Sequence, residues 1–209
     1  MQGSAGKAGG IDMSDSLITK KAIAQSVKEL MKKKDLRKIS VSDIVANCGI
    51  NRQTFYYHFQ DKYDLVNWIY YNEVISAVTI RKTFTDWSSV LLEVLTIMRR
   101  EKYFYTNALN VSGQNGFQEY FFNLTKNLIM EILGAMDKRK RMPEKDRDFI
   151  AEFFTYGLVG IVVQWARRGM RESPQELVDR LRYFIEANRY FSIARYRSGG
   201  PGGKGPSKS

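Results

Sequence analysis

The stretch from Ser40 to Phe59, SVSDIVANCGINRQTFYYHF, constrains the fold more than any other part of this chain. Ser40 can serve as an N-cap, because its hydroxyl can accept from the otherwise orphaned amide of Asp43, and Asp43 three residues on completes a capping-box-like S-x-x-D. Val41, Ile44, Val45 and Cys48 recur at helical spacing and are expected to face a core. Gly49 suits the left-handed backbone that ends a helix without a Cβ penalty, Ile50 can plug the turn, and Asn51 can cap a second short helix from Arg52. Phe55 and Phe59, four apart, would anchor that helix and leave Arg52, Gln53, Thr54, Tyr56, Tyr57 and His58 on its outward or flanking faces. Two short helices about a tight turn form a helix-turn-helix, whose second helix offers its N-terminal residues to base edges in the DNA major groove.

At Val41, Asp43, Ile44, Gly49, Ile50, Asn51, Thr54, Phe55, Tyr56, His58, Phe59 and Lys62 the chain resembles the signature of the TetR family of transcriptional regulators. That signature runs apolar-x-Asp-Ile-Ala, a Gly, an apolar residue, a small polar cap, Thr-Leu/Phe-Tyr-x-His/Tyr-Phe, a gap and a Lys. Val45 stands where the family usually has Ala, at a close approach of the two short helices, and bears on their packing alone. The resemblance implies an all-α protein: a three-helix helix-turn-helix DNA-binding head plus a helical C-terminal effector and dimerisation domain. It also implies a homodimer on a roughly palindromic double-stranded DNA operator, controlled by a small-molecule or protein effector.

The formal net charge of +11 points to a polyanionic partner without identifying one. Between Ser16 and Lys62 there are ten Lys and Arg against four acidic residues, a net of +6, so the charge gathers where the motif lies. The single Cys allows no intramolecular disulfide and suits a reducing, cytoplasmic compartment. With no P-loop, no nucleophile elbow, no H-E-x-x-H and no dinucleotide fingerprint, an enzyme is not expected. His58 is the only His and has no Cys or acidic residues at ligand spacing, so neither a metal nor another cofactor is expected.

In chain order, residues 1–13 read as a Gly-rich disordered extension or tag, 14–62 as the DNA-binding domain, 63–193 as the helical regulatory and dimerisation domain, and 194–209 as a disordered tail. A first helix is expected from about Leu17 to Lys33, with Ile23, Val27, Leu30 and Met31 on its apolar face. Asp61 can cap a fourth helix from about Lys62, with Leu65, Val66 and Ile69 facing inward. Trp87 to Met98 and Phe117 to Met136 read as amphipathic helices, separated by the turn signals of NVSGQNG. The run DKRKRM at 137–142 reads as a solvated basic loop, since no aromatic residues interleave with it, and Pro143 suits a first helical turn.

Phe149 to Ala166 is the most apolar segment. It approaches membrane-spanning length, but Glu152 and Gln164 lie inside it, and it is expected to be a buried helix and not a membrane span. Ser173-Pro174-Gln175-Glu176 is a start signal for a last helix reaching about Ser192. In the TetR family the last two long helices pair with those of a second subunit, so the resemblance implies homodimerisation through these two. The segments YGLVGIVVQ and WARRGMRESPQEL also resemble a subgroup that includes regulators associated with dihydroxyacetone kinase genes. That resemblance implies an activator that senses a partner protein as one alternative.

Carried over position by position, the motif implies DNA-binding roles. Arg52 can make a bidentate contact to guanine, Gln53 can reach adenine or a neighbouring base, and Tyr56 can add a base or methyl contact. Ser40, Ser42, Thr54, Tyr57, His58 and Lys62 are expected at phosphates. An effector cavity, if present, would draw on Trp87, Met98, Tyr103, Phe104, Phe117, Tyr120, Phe121, Tyr156 and Trp165, each of which also fits a plain apolar core. A reading of another class, a helical protein-interaction module without specific DNA binding, shares the charge and the apolar faces but leaves the Arg52 to His58 surface unexplained.

Overall fold

The computed structural model describes residues 13–76, 87–111, 116–137 and 142–197, and all the regular structure among them is helical. Residues 1–12, 77–86, 112–115, 138–141 and 198–209, which include most of the expected N-terminal extension, of the DKRKRM run and of the C-terminal tail, lie outside the described residues. Two compact units divide the chain between Ile69 and Tyr70.

The first unit holds α1 (Met13–Met31), a short 3₁₀ turn (Leu36–Lys38), α2 (Val41–Cys48), α3 (Arg52–His58) and most of α4 (Lys62–Tyr70). Ile23, Val27 and Met31 of α1 are buried with Leu36, Ile39, Ile44, Phe55, Phe59, Leu65, Val66 and Ile69. Removing each such side chain from water contributes about 1.5–3 kcal/mol, which lets α2 and α3, too short to be stable alone, persist. Two polar positions of α1, Ser26 and Lys28, are also buried. Ser26, 2% exposed, donates from Oγ to Ile44 O at 2.8 Å and accepts from Asn47 Nδ2 at 3.1 Å, tying α1 to α2. The head is also pinned by Lys20, whose ammonium lies 5.8 Å from the Phe59 ring and 5.9 Å from the Trp68 ring. Three expectations differ from what is seen: Leu30, Val41 and Cys48 are half-buried, with Cys48 Sγ turned to Val45 O of its own helix at 3.8 Å.

The second unit opens with a π-helical segment (Tyr71–Ile75) and continues through α5 (Trp87–Arg100), α6 (Lys102–Leu109), α7 (Phe117–Met136), α8 (Glu144–Arg167) and α9 (Pro174–Arg197). The long antiparallel pair α7 and α8 forms its main packing, with α6 against α8 and α9 against α5. Lys126 of α7 bridges Asp148 at 2.9 Å and Glu152 at 3.5 Å on α8. Ser173 caps α9 in the expected box: its Oγ accepts from Glu176 N at 3.2 Å, and Glu176 Oε2 accepts from Ser173 N at 2.7 Å. Pro143 sits at the N-cap of α8 and not inside its first turn.

The expectation of a buried helix at Phe149 to Ala166 holds for one face only. Among the described residues α8 is the one helix long and apolar enough to cross a membrane by composition, yet only one side of it is covered. Ala151, Thr155, Val159, Val162, Val163 and Ala166 are buried, whereas Phe149, Phe153, Tyr156 and Ile161 are 71%, 64%, 64% and 40% exposed. Periodicity shows which residues share a face; it does not show what covers that face.

Candidate nucleic-acid interface

Each turn of the head is fixed by its own side chains. Ser40 Oγ accepts from Asp43 N at 3.1 Å, while Asp43 Oδ2 accepts from Ser40 N at 2.8 Å. The Ser40 amide and hydroxyl together hold the Asp43 carboxyl below its usual pKa range. Gly49 ends α2 in the left-handed region at φ 72°, ψ 25°, and Ile50 N then reaches Val45 O at 3.1 Å. Asn51 Oδ1 accepts from Thr54 N at 2.7 Å and from Thr54 Oγ1 at 3.0 Å, starting α3. Phe55, fully buried, holds α3 down, with Phe59 at 5.8 Å between ring centroids and Phe59 in turn 5.7 Å from Trp68.

This packing turns the opposite face of α3 outward. Arg52 and Gln53 are exposed, Tyr56 and Tyr57 are 50% and 68% exposed, and Thr54 and His58 are half-buried at the flank. Arg52 Nη1 donates to Ser42 Oγ at 3.4 Å and Nη2 to Tyr56 OH at 3.3 Å, and among the described residues it makes no ion pair with a carboxylate. Ser40 and Ser42 are exposed on α2 beside it. A concavity of about 320 Å³ lies between the start of α1 and α3, lined by Asp15, Ser16, Thr19, Asn51, Gln53, Thr54, Tyr57 and His58. Sequence reasoning did not single out the α1 residues of that concavity, because nothing local in Asp15-Ser16 announces a neighbour on α3. Burial, and secondarily the nearby Lys20 ammonium, push the His58 pKa below its ordinary value, so its neutral form is favoured in the free protein.

Lys62, expected at a phosphate, is half-buried at the start of α4. Its ammonium is turned to the backbone, donating to Leu36 O at 2.7 Å, Arg37 O at 3.2 Å and Ile39 O at 2.7 Å.

Two family models match the chain: "Bacterial regulatory proteins, tetR family" over residues 25–69, and the TetR-type "Transcriptional regulator C-terminal region" over residues 85–187. The chain belongs to the TetR family. The first match contains the α2–turn–α3 unit just described, and the second runs from just before α5 into α9. Among curated relatives, the chain is 27% identical over 161 residues to the HTH-type dhaKLM operon transcriptional activator DhaS of Lactococcus lactis subsp. lactis (strain IL1403), covering 76% of this chain and 85% of that protein. A solved structure of a dihydroxyacetone kinase operon activator DhaS is similar with a TM-score of 0.63 at 26% identity, covering 82% of this chain and 96% of that one. NalD, the secondary repressor of the MexAB-OprM multidrug efflux pump in Pseudomonas aeruginosa, shares the fold with a TM-score of 0.59 at 21% identity, covering 83% of this chain and 95% of that one.

In this TetR-family chain the residues singled out for an effector cavity do not gather in one place. Phe117 and Phe121 come together, stacked at 6.0 Å, with Tyr70 at 5.2 and 5.7 Å, and Tyr120 lies 6.4 Å from Tyr70. Tyr105, which the sequence reading did not pick out, completes that cluster at 6.0 Å from Phe117. Met98 and Phe104 are buried, and Trp165 is buried with its indole N–H donating to Glu172 O at 3.0 Å. Trp87 is half-buried, while Tyr103 and Tyr156 are 67% and 64% exposed. A groove of about 410 Å³ between α5 and the start of α9, lined by Leu92, Thr96, Arg99, Arg100, Ser173, Pro174 and Gln175, contains none of the named candidates. Among the described residues no cluster of three or more His, Cys, Asp or Glu could hold a metal ion.

Proposed function

We propose that this chain is a homodimeric, operator-binding transcription regulator of the cytoplasm, reading DNA through α3. The observation that carries the reading is Arg52. It stands exposed at the first position of a short helix, steadied by Ser42 and Tyr56 and unpaired with any described carboxylate, with two exposed tyrosines beside it. A guanidinium so held suits bidentate contact with guanine, with Gln53 and Tyr56 as its neighbours at the base edges. Ser40, Thr54, Tyr57 and His58 border this surface and are suited to phosphate oxygens, which fix register and carry no sequence information, while the Ser42 hydroxyl acts on the guanidinium.

Homodimerisation is supported by the open side of α8. Phe149, Phe153, Tyr156 and Ile161 leave an apolar stripe uncovered, and Tyr183 and Phe184 of α9 are 80% and 59% exposed. A second copy would cover such faces and make the operator a palindrome whose half-sites follow the spacing of the two α3 helices. A small molecule or partner protein that binds the second unit differently in the operator-bound and free states would change operator affinity by that difference.

The likeness to DhaS over most of its length favours one second reading, an activator of dihydroxyacetone kinase genes. Footprinting on the DNA upstream of the gene, with light scattering of the free protein and of Phe153→Glu, tests the main reading. A protected inverted repeat bound by a dimer, both lost in Phe153→Glu, is the expected result; a monomer without a protected site contradicts it. A reporter gene fused to the protected region separates the readings, since an activator raises its transcription and a repressor lowers it.

A further inference from the structure

Lys62 is the first residue of α4, and its ammonium has three protons. They meet three carbonyls of one short segment, Leu36 O and Ile39 O at 2.7 Å and Arg37 O at 3.2 Å. These are the carbonyls of the 3₁₀ turn and of the residue just before Ser40, the cap of α2. Turning the ammonium out to solvent would take its bonds from two carbonyls at part-buried positions, and Ile39 O accepts no other hydrogen bond among the described residues. The other end of the link is as firmly held. Asp61 Oδ1 accepts from Tyr63 N at 2.7 Å and from Asp64 N at 2.8 Å, so the residue before Lys62 is itself a helix cap.

We propose that Lys62 is a positioning residue for sequence reading: it fixes the segment that leads into Ser40, and through α2 and Ser42 it sets where Arg52 lies. The path is continuous. Ile39 precedes the Ser40–Asp43 box, that box begins α2, and Ser42 in its first turn accepts from Arg52. Partial burial lowers the Lys62 pKa against the raising influence of Asp35, Asp61 and Asp43, in keeping with a cation committed to carbonyls and not to open solvent. An arginine would not substitute. Its planar fork suits carboxylate or phosphate oxygens, whereas three carbonyls converging on one point suit a compact ammonium.

The inference rests on the operator-binding reading, and the test keeps the two apart. Affinities of the full chain for DNA from its own upstream region and for a scrambled duplex are measured across salt concentrations, well below melting, for wild type, Lys62→Met and Lys62→Arg. If wild type does not distinguish the duplexes, the operator reading itself fails. Given that it does, both variants are expected to lose about tenfold or more of the operator-to-scrambled ratio, as when a base contact is misplaced, with scrambled binding and its salt slope unchanged. Equal weakening on both duplexes in Lys62→Met, with the slope reduced by about 0.9 and full recovery in Lys62→Arg, would make Lys62 a phosphate contact and overturn the proposal. An unchanged ratio with only a lower melting temperature would leave a structural role alone and overturn it too. Should Lys62→Met fail to fold, Lys62→Arg decides: a reduced ratio supports positioning, a wild-type ratio contradicts it.

Discussion

Arg52 of α3 donates to the hydroxyl of Ser42 on α2 at 3.4 Å, across the turn that joins the two helices. The bond is long and so contributes little to stability, but it limits where a flexible guanidinium can point before DNA arrives. Ser42→Ala should therefore weaken operator binding by about 0.5–1 kcal/mol while leaving the melting temperature near wild type. Combining it with Arg52→Ala should add almost nothing, because the hydroxyl acts through the guanidinium. A double-mutant cycle by DNA titration checks this, and full additivity would mean that Ser42 touches DNA independently.

Much of the head, and the start of α9, is legible in the sequence because the signals are local. The Ser40–Asp43 box, the left-handed Gly49, the Asn51 cap and the Ser173-Pro174-Glu176 start each depend on residues within a few positions of one another, and each forms as its side chains dictate. The rest depends on distant parts of the chain. Lys62 meets carbonyls more than twenty residues away, and Ser26 is buried because Ile44 O and Asn47 come to it from another helix. Tyr103 and Tyr156 share the helical spacing of core aromatics but lie on uncovered faces, which no periodicity reveals. Neither the π-helical turn at Tyr71–Ile75 nor the break between α5 and α6 at Glu101 carries a Gly or Pro to mark it.

The aromatic cluster of the second unit supports a prediction of opposite sign to most core substitutions. Tyr105 is fully buried, and its hydroxyl has no hydrogen-bond partner among the described residues. Burial accordingly pushes its pKa well above the ordinary tyrosine value. Tyr105→Phe keeps the ring contacts with Phe104, Tyr70 and Phe117 and removes an unsatisfied polar group. It should stabilise the protein by about 1 kcal/mol, read from urea or thermal unfolding. A loss of stability would show that the hydroxyl is bonded in solution.

His58 gives operator binding a pH dependence of defined sign. In the free protein its pKa lies below the ordinary histidine value of about 6.5, so the stability it contributes is full above that value and falls as pH drops through the folded pKa. A phosphate set beside it would reverse the shift, favouring the charged ring in the complex, so binding would take up a proton. Operator affinity should rise as pH falls from about 7.5 to about 6, by up to tenfold for each pKa unit gained, and His58→Gln should flatten the profile. A profile that is the same in wild type and His58→Gln would remove His58 from the interface.

The measurement closest to the central claim is fluorescence anisotropy with labelled DNA from the gene's own upstream region, at several salt concentrations, comparing wild type with Arg52→Ala and with a scrambled duplex. Operator reading through α3 predicts tight binding to the native duplex alone, weakened by about 1–3 kcal/mol in Arg52→Ala. Equal binding to both duplexes, steeply weakened by salt and indifferent to Arg52→Ala, would contradict it and leave the basic charge of the head as the only attraction to DNA.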